Sequence, residues 1–125
     1  MTGFVYDAAV FVAAERNERR VWAEHKARLE LGAAVLAPAV VVAQVSRSPE
    51  QVQLRRFLAG CEIVPFDERD AHEAGRLLGL TKTTDVVDAA VVGVAQRRKA
   101  VILTGDAGDM GRLAAAGGEV PVEGL

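Results

Sequence analysis

The chain of 125 residues contains one cysteine, two histidines and no apolar run long enough to span a bilayer. Each shortage removes a class of function. Cys61 alone forms no internal disulfide, and its place at the head of "CEIVPF" suits a small buried thiol in a reducing compartment. His25, His72 and Cys61 stand at no zinc-ligand spacing, which argues against zinc hydrolysis. The longest apolar stretch, "AAVLAPAVVVA", is too short for a membrane and contains Pro38, while "MTGFVYDAAVF" has no basic leader and carries Asp7 among its apolar residues. A soluble, cytoplasmic protein with no membrane contact is therefore expected. Positive charge is not in excess either: the formal net charge is −2 and the pI is near 5.7, so any nucleic-acid contact must be local. Ser46 and Ser48 lack a G-x-S-x-G setting, and "TGDAGDMG" matches neither the dinucleotide fingerprint nor a P-loop.

What is present is apolar sequence in short, regularly spaced runs. Half of the residues are hydrophobic, enough for one domain over residues 1–125 with its own core. "GFVYD", "AVLAP", "CEIVPF" and "AVILTGD" read as buried strands, with a weaker fifth in "GEVPVE". Helical patterns separate them: a helical hairpin from "AAVFVAAERN" and "ERRVWAEHKARLELG", then "AVVVAQVSR" opened by Pro38 and "PEQVQLRRFLAG" opened by Pro49. "DERDAHEAGRLLGL", "TTDVVDAAVVGVAQ" and a last helix around "DMGRLAAAGG" complete the series. Strands alternating with helices predict an α/β fold, a mainly parallel sheet of four to five strands flanked by helices.

In such folds ligands bind beyond the carboxyl ends of the strands, and here those positions are acidic. Asp7 ends "GFVYD" and Asp106 ends "VILTGD", with Asp109 one helical turn further on. Asp85 and Asp88 share one side of a helix that is apolar nearly all round and leads into the strand before Asp106. The spacing allows Asp7, Asp88 and Asp106 to converge. Carboxylates brought together repel and resist desolvation, so such a cluster suits a hard cation, Mg²⁺ or Mn²⁺, and through it phosphoryl chemistry. Each acid also has a purely structural reading. Asp7 and Asp85 fit as helix N-caps, Asp88 as the return partner of a capping box, Asp106 as a turn residue beside Gly105, and Asp109 as a first-turn acid favoured by the helix dipole.

The segments "FVYDAAVF", "DVVDAAVVGVAQ" and "AVILTGDAGDMGRLA" resemble the PIN-domain family, and within it the small single-domain toxins of VapC type. The resemblance implies a PIN-like three-layer fold and a metal-dependent endoribonuclease, the toxin component of a type II toxin–antitoxin pair. It implies a metal and catalytic role for Asp7, Asp88 and Asp106, with Asp85 as an outer metal-site member and Asp109 a further candidate for the pocket. It also implies an RNA substrate, a cognate antitoxin protein and a homodimer. Thr104, just before "GD", is placed to donate a hydroxyl hydrogen bond to a ligand carboxylate or water. Where the family usually carries a glutamate on the helix after the second strand, "PAVVVAQVSR" offers Gln44, whose amide brings an oxygen but no charge. That departure keeps a second reading in view, a catalytically weak or silent PIN-like module that binds or regulates.

The residues alone leave two further features open. Arg16, Arg19, Arg20, Arg47, Arg97, Arg98 and Lys99 either track an RNA backbone or form solvated helix faces. The Trp22 helix either joins the core or docks a partner. A phosphoacceptor receiver domain also clusters acids at strand ends, but no lysine follows the strand "AVILT"; Lys99 precedes it.

Overall fold

The computed structural model describes residues 2–125. Five strands form one all-parallel sheet: β1 (Phe4–Tyr6), β2 (Val35–Pro38), β3 (Glu62–Val64), β4 (Val101–Thr104) and β5 (Val122–Gly124), in the spatial order β3-β2-β1-β4-β5. The seven helices are α1 (Ala8–Glu15), α2 (Arg19–Glu30), α3 (Ala39–Val45), α4 (Val52–Leu58), α5 (Glu68–Thr81), α6 (Val86–Arg98) and α7 (Ala107–Gly117). The chain winds from β1 outward through β2 to β3, then returns to the other side of β1 for β4 and β5. Because parallel crossovers are right-handed, this reversal puts α1–α4 on one face and α5–α7 on the other. The packing agrees, for α1 meets α2, α3 and α4, while α5, α6 and α7 meet one another.

The central strands are continuous apolar runs because both their faces are covered. Val5, Tyr6, Leu36, Ala37, Ile102 and Leu103 are buried in one core with Val10, Phe11, Phe57, Val91 and Val92. Helix α6 is apolar nearly all round for the same reason: Ala89, Ala90, Val91, Val92, Val94 and Ala95 are all buried, and the helix packs on α3, α5, α7, β1, β2 and β4. Its polar end projects outward, where Arg97 pairs with Asp70 at 3.1 Å and Arg98 with Glu62 at 2.6 Å.

Several sequence-based boundaries shift for local reasons. Pro49 does not open α4. Ser48 and Gln51 side chains bind the backbone of residues 47, 48 and 50 in a turn, and the helix begins at Val52. The third strand stops at Val64, ahead of Pro65, which has no N–H to give a ladder. The fifth strand begins later than "GEVPVE" suggests, and its first ladder bond uses only the carbonyl of Pro121, which accepts from Ile102 N at 2.9 Å. Among the described residues no helix is long and apolar enough to cross a membrane.

Trp22 belongs to the fold. Its indole N–H donates to the Ala14 carbonyl at 2.9 Å, and its ring meets Phe57 edge-on at 5.0 Å. Beside it, His25 is 3% exposed, with Nδ1 2.9 Å from the Tyr6 hydroxyl and its ring 4.0 Å from that of Phe57. Arg28 donates to the same hydroxyl at 3.0 Å. A guanidinium only donates, so the tyrosine accepts from Arg28 and gives its own proton to His25, which is thereby the neutral Nε2–H tautomer. Burial, helped by the Arg28 charge, lowers the His25 pKa to about 4, and burial raises Tyr6 to about 12. Every member of this group is hydrogen-bonded and neutral except Arg28, whose guanidinium also lies over the Phe4 ring at 4.9 Å.

Candidate active site

The winding reverses between β1 and β4, and a crevice at such a switch point is where an open α/β sheet accepts ligands. Asp7 follows β1 directly, and Asp106 follows β4 after Gly105. Asp7 is the N-cap of α1: its Oδ1 accepts from Ala9 N at 3.0 Å. Its Oδ2 accepts from the Thr104 hydroxyl and, at 3.3 Å, from Gly105 N. The Thr104 oxygen in turn accepts from Asp106 N at 3.1 Å, so this buried threonine ties the ends of the two strands together. The hydroxyl role read from "TGD" is thus a contact to Asp7.

The other acids start helices as well. Asp85 caps α6 by accepting from Asp88 N at 3.0 Å, and Asp106 caps α7 by accepting from Asp109 N at 3.0 Å. Asp88 is different. In α5, Asp70 returns a bond to the N-cap Asp67 and closes a capping box, but Asp88 makes no such return to Asp85. It stands half-buried in the first turn of α6, and burial together with the negative charges of Asp85, Asp7 and Asp106 raises its pKa to about 6. Burial raises Asp7 too, against the pull of its hydrogen bonds to Thr104, Ala9 and Gly105.

The local field around Asp88 is therefore the summed repulsion of the acids the sequence singled out. No Lys, Arg or His nitrogen lies within 4.0 Å of Asp7, Asp85, Asp88 or Asp106 among the described residues. Hard oxygen donors carrying uncompensated charge fit a divalent cation of the Mg²⁺ or Mn²⁺ kind. Among the described residues no three His, Cys, Asp or Glu side chains stand as a ready-made cage, so the fit lies in the donor chemistry and the charge. Gln44 is exposed near the end of α3 and makes no side-chain hydrogen bond to these acids.

Asp109 has a partner the sequence reading missed: Arg112, one turn along α7, forms an ion pair with it. The i, i+3 spacing was the available signal. Both line a cleft of about 380 Å³, together with Thr81, Thr83, Asp85, Asp88 and Leu113. Several of the basic residues read as an RNA track are committed elsewhere. Arg20 pairs with Glu24, Arg47 caps carbonyls at the end of α3, and Arg97 and Arg98 pair across helices and sheet.

A family model described as PIN domain matches residues 4–116 of the chain. No curated protein matches the sequence. The fold is similar to that of a chain in VapBC2 from Rickettsia felis bound to a DNA fragment from their promoter, with 17% identity, a TM-score of 0.76 and 98% of each chain covered. It is similar as well to a chain of DNA-bound VapBC from Salmonella typhimurium, with 14% identity, a TM-score of 0.74 and 99% and 98% covered. A chain of FitAcB from Neisseria gonorrhoeae aligns at 19% identity with a TM-score of 0.65 over 95% of each chain. At such identities these likenesses speak for the fold.

Proposed function

The chain belongs to the PIN-domain family, whose members are nucleases, and from that premise we propose that it is an endoribonuclease dependent on Mg²⁺ or Mn²⁺, the toxin of a toxin–antitoxin pair. The observation that carries the reading is the charge at Asp88. Burial, together with the charges of Asp85, Asp7 and Asp106, raises its pKa to about 6, and among the described residues no Lys, Arg or His nitrogen lies within 4.0 Å of these acids, an arrangement that serves stability poorly and cation binding well.

In this reading Asp7, Asp88 and Asp106 hold the ion, and Asp85 stands at its edge. A bound divalent ion supplies an oriented water of lowered pKa and stabilises the charge that builds on the phosphodiester. The chain's own residues keep the carboxylates in position. Thr104 and the Ala9 and Gly105 amides fix both oxygens of Asp7, and the caps on Asp85 and Asp106 leave one oxygen of each free of that bond. With Gln44 where the family resemblance implies glutamate, the set carries one anion fewer, which lowers its expected affinity for the ion.

The similar folds come from structures of VapBC and FitAB assemblies, several bound to DNA, and this supports a partner protein encoded beside this chain, its antitoxin. A homodimer in the cytoplasm is part of the same proposal. The direct test is to incubate the purified protein with total RNA in EDTA, Mg²⁺ or Mn²⁺ and map new ends. Cleavage is expected only with metal, and Asp88→Asn should reduce it by more than the roughly 100-fold that losing a supporting partner of a metal ligand costs. Equal cleavage in EDTA would refute the nuclease reading.

A further inference from the structure

We propose that Arg112 is a phosphate-positioning residue, gripping the RNA backbone next to the acidic pocket, with Asp109 holding its guanidinium in place. The inference rests on the nuclease reading and adds a residue to the same site.

A site built of carboxylates has an unsolved problem with its substrate, because every phosphate it must admit is anionic. A divalent cation offsets the charge where it binds, but the neighbouring phosphates of the strand still face Asp85, Asp88 and Asp109. Among the described residues Arg112 is the one cationic side chain lining the cleft that those three acids share. It also borders Asp106: the space beside the Gly108 Cα lies 3.6 Å from Asp106 Oδ1 and 4.0 Å from Arg112 Nη1, so carboxylate and guanidinium flank the same gap. A guanidinium presents a planar fork of donors that matches two oxygens of a phosphate, is less strongly hydrated than an ammonium, and never deprotonates.

The ion pair with Asp109 explains how the fork stays available. Arg112 is well exposed, at 75% of its side-chain surface, and a free arginine there would lose rotamer entropy on gripping a phosphate. The pair one helical turn apart keeps the side chain over the cleft and leaves the remaining N–H groups for a substrate. Asp109 in this assignment is spent on Arg112 and is not a metal ligand. Thr81 and Thr83, whose hydroxyls lie 2.8 Å apart, line the same opening, with the Thr81 hydroxyl donating to the Leu77 carbonyl at 3.0 Å.

A phosphate contact carries no base information, so a fluorescein-labelled single-stranded RNA of mixed sequence reads it directly. Anisotropy titrations in EDTA, where the ion is absent and nothing is cut, are run over a range of salt for wild type, Arg112→Ala and Arg112→Lys. Wild type is expected to bind at low salt. Arg112→Ala should bind about tenfold more weakly, and its slope of log Kd against log salt should shrink by about 0.7, the share of one phosphate contact on a single strand. Arg112→Lys should keep the slope and recover part of the affinity, a rescue that a merely structural role would not produce. Equal slopes for wild type and Arg112→Ala overturn the assignment, as does a wild type that binds no RNA in EDTA. Cleavage by wild type in Mn²⁺ is scored separately: binding with the expected slopes but no cleavage leaves Arg112 in place and removes the nuclease reading.

Discussion

Tyr6 and Asp7 are consecutive residues, and the sheet sends them into opposite kinds of environment. Tyr6 enters a buried group in which each polar atom has a partner and the titratable members are kept neutral, His25 by a pKa lowered to about 4 and Tyr6 by one raised to about 12. Asp7 joins a set of acids whose hydrogen bonds are satisfied but whose charge is not, and Asp88 among them is raised to about 6. Both regions contain polar side chains near or inside the core, and both shift their pKa values by burial. The difference is compensation. The buried group balances charge and hydrogen bonding together; the acids balance only their hydrogen bonds, and that imbalance is what the proposed cation would relieve.

The contrast breaks first, and most strongly, in the buried group. Phe57 packs on the rings of Tyr6, Phe11, Trp22 and His25, so Phe57→Ala should cost about 3–5 kcal/mol in denaturant unfolding while metal binding by the folded fraction stays unchanged. A loss of Mn²⁺ affinity in the folded variant would mean that the two regions are one.

Metal linkage sharpens the comparison. If the acids hold a metal as proposed, Mn²⁺ at a hundred times its Kd, binding the folded pocket and not the unfolded chain, should stabilise wild type by about 2.7 kcal/mol, read as a rise in thermal midpoint. Asp7→Asn should lose most of that gain. In EDTA the same variant should lose about 1–3 kcal/mol, since asparagine keeps the cap with its one oxygen but turns an NH2 group towards the Gly105 N–H and the Thr104 hydroxyl. A variant that gains as much from Mn²⁺ as wild type removes Asp7 from the metal site.

The smallest expected effect is on pH. The folded-state pKa of Asp88 lies above its ordinary value of 3.8, at about 6, so the native state holds the proton more tightly. Its stabilising contribution is therefore present in full below about pH 4 and declines as pH rises towards about 6, the reverse of an ordinary salt-bridged acid. In EDTA the midpoint of Asp88→Asn relative to wild type should rise across that window, while Mn²⁺ affinity of wild type rises with it because the carboxylate must lose its proton to bind. A flat difference between the two proteins would show that the local field at Asp88 is weak.

Much of this arrangement was readable beforehand because it follows from local rules. Asp7 and Asp106 follow apolar runs, and in a parallel sheet the residue after a strand is at the functional edge whatever the rest of the chain does. Asp85 was readable as a cap from its place before an apolar helix. The structural alternatives were also correct for Asp7 and Asp85, which are N-caps, and for Asp109, which stands in the first turn of α7, whereas Asp106, read as a turn residue, caps that helix; a carboxylate with two oxygens can cap a helix with one and face a pocket with the other. The Tyr6–His25–Arg28 group was not readable, because its members are 19 and 22 residues apart and meet only through the packing of α2 on the sheet. Arg112 was passed over for a different reason: attention to clusters of basic residues favoured Arg97, Arg98 and Lys99, two of which the fold has already paired with acids.

The parallel pairing of β1 with β4 also sets when the site comes into being. The residues joined by the Thr104 to Asp7 hydrogen bond are 97 positions apart, and the strands that carry them are direct neighbours in the sheet. Asp7 is synthesised well before Asp106, and closing so long a loop is among the slower steps of folding. A nascent chain that already contains β1, β2 and their helices therefore has no pocket. The acidic edge forms in one step, when β4 inserts beside β1 and brings Asp106 next to Asp7.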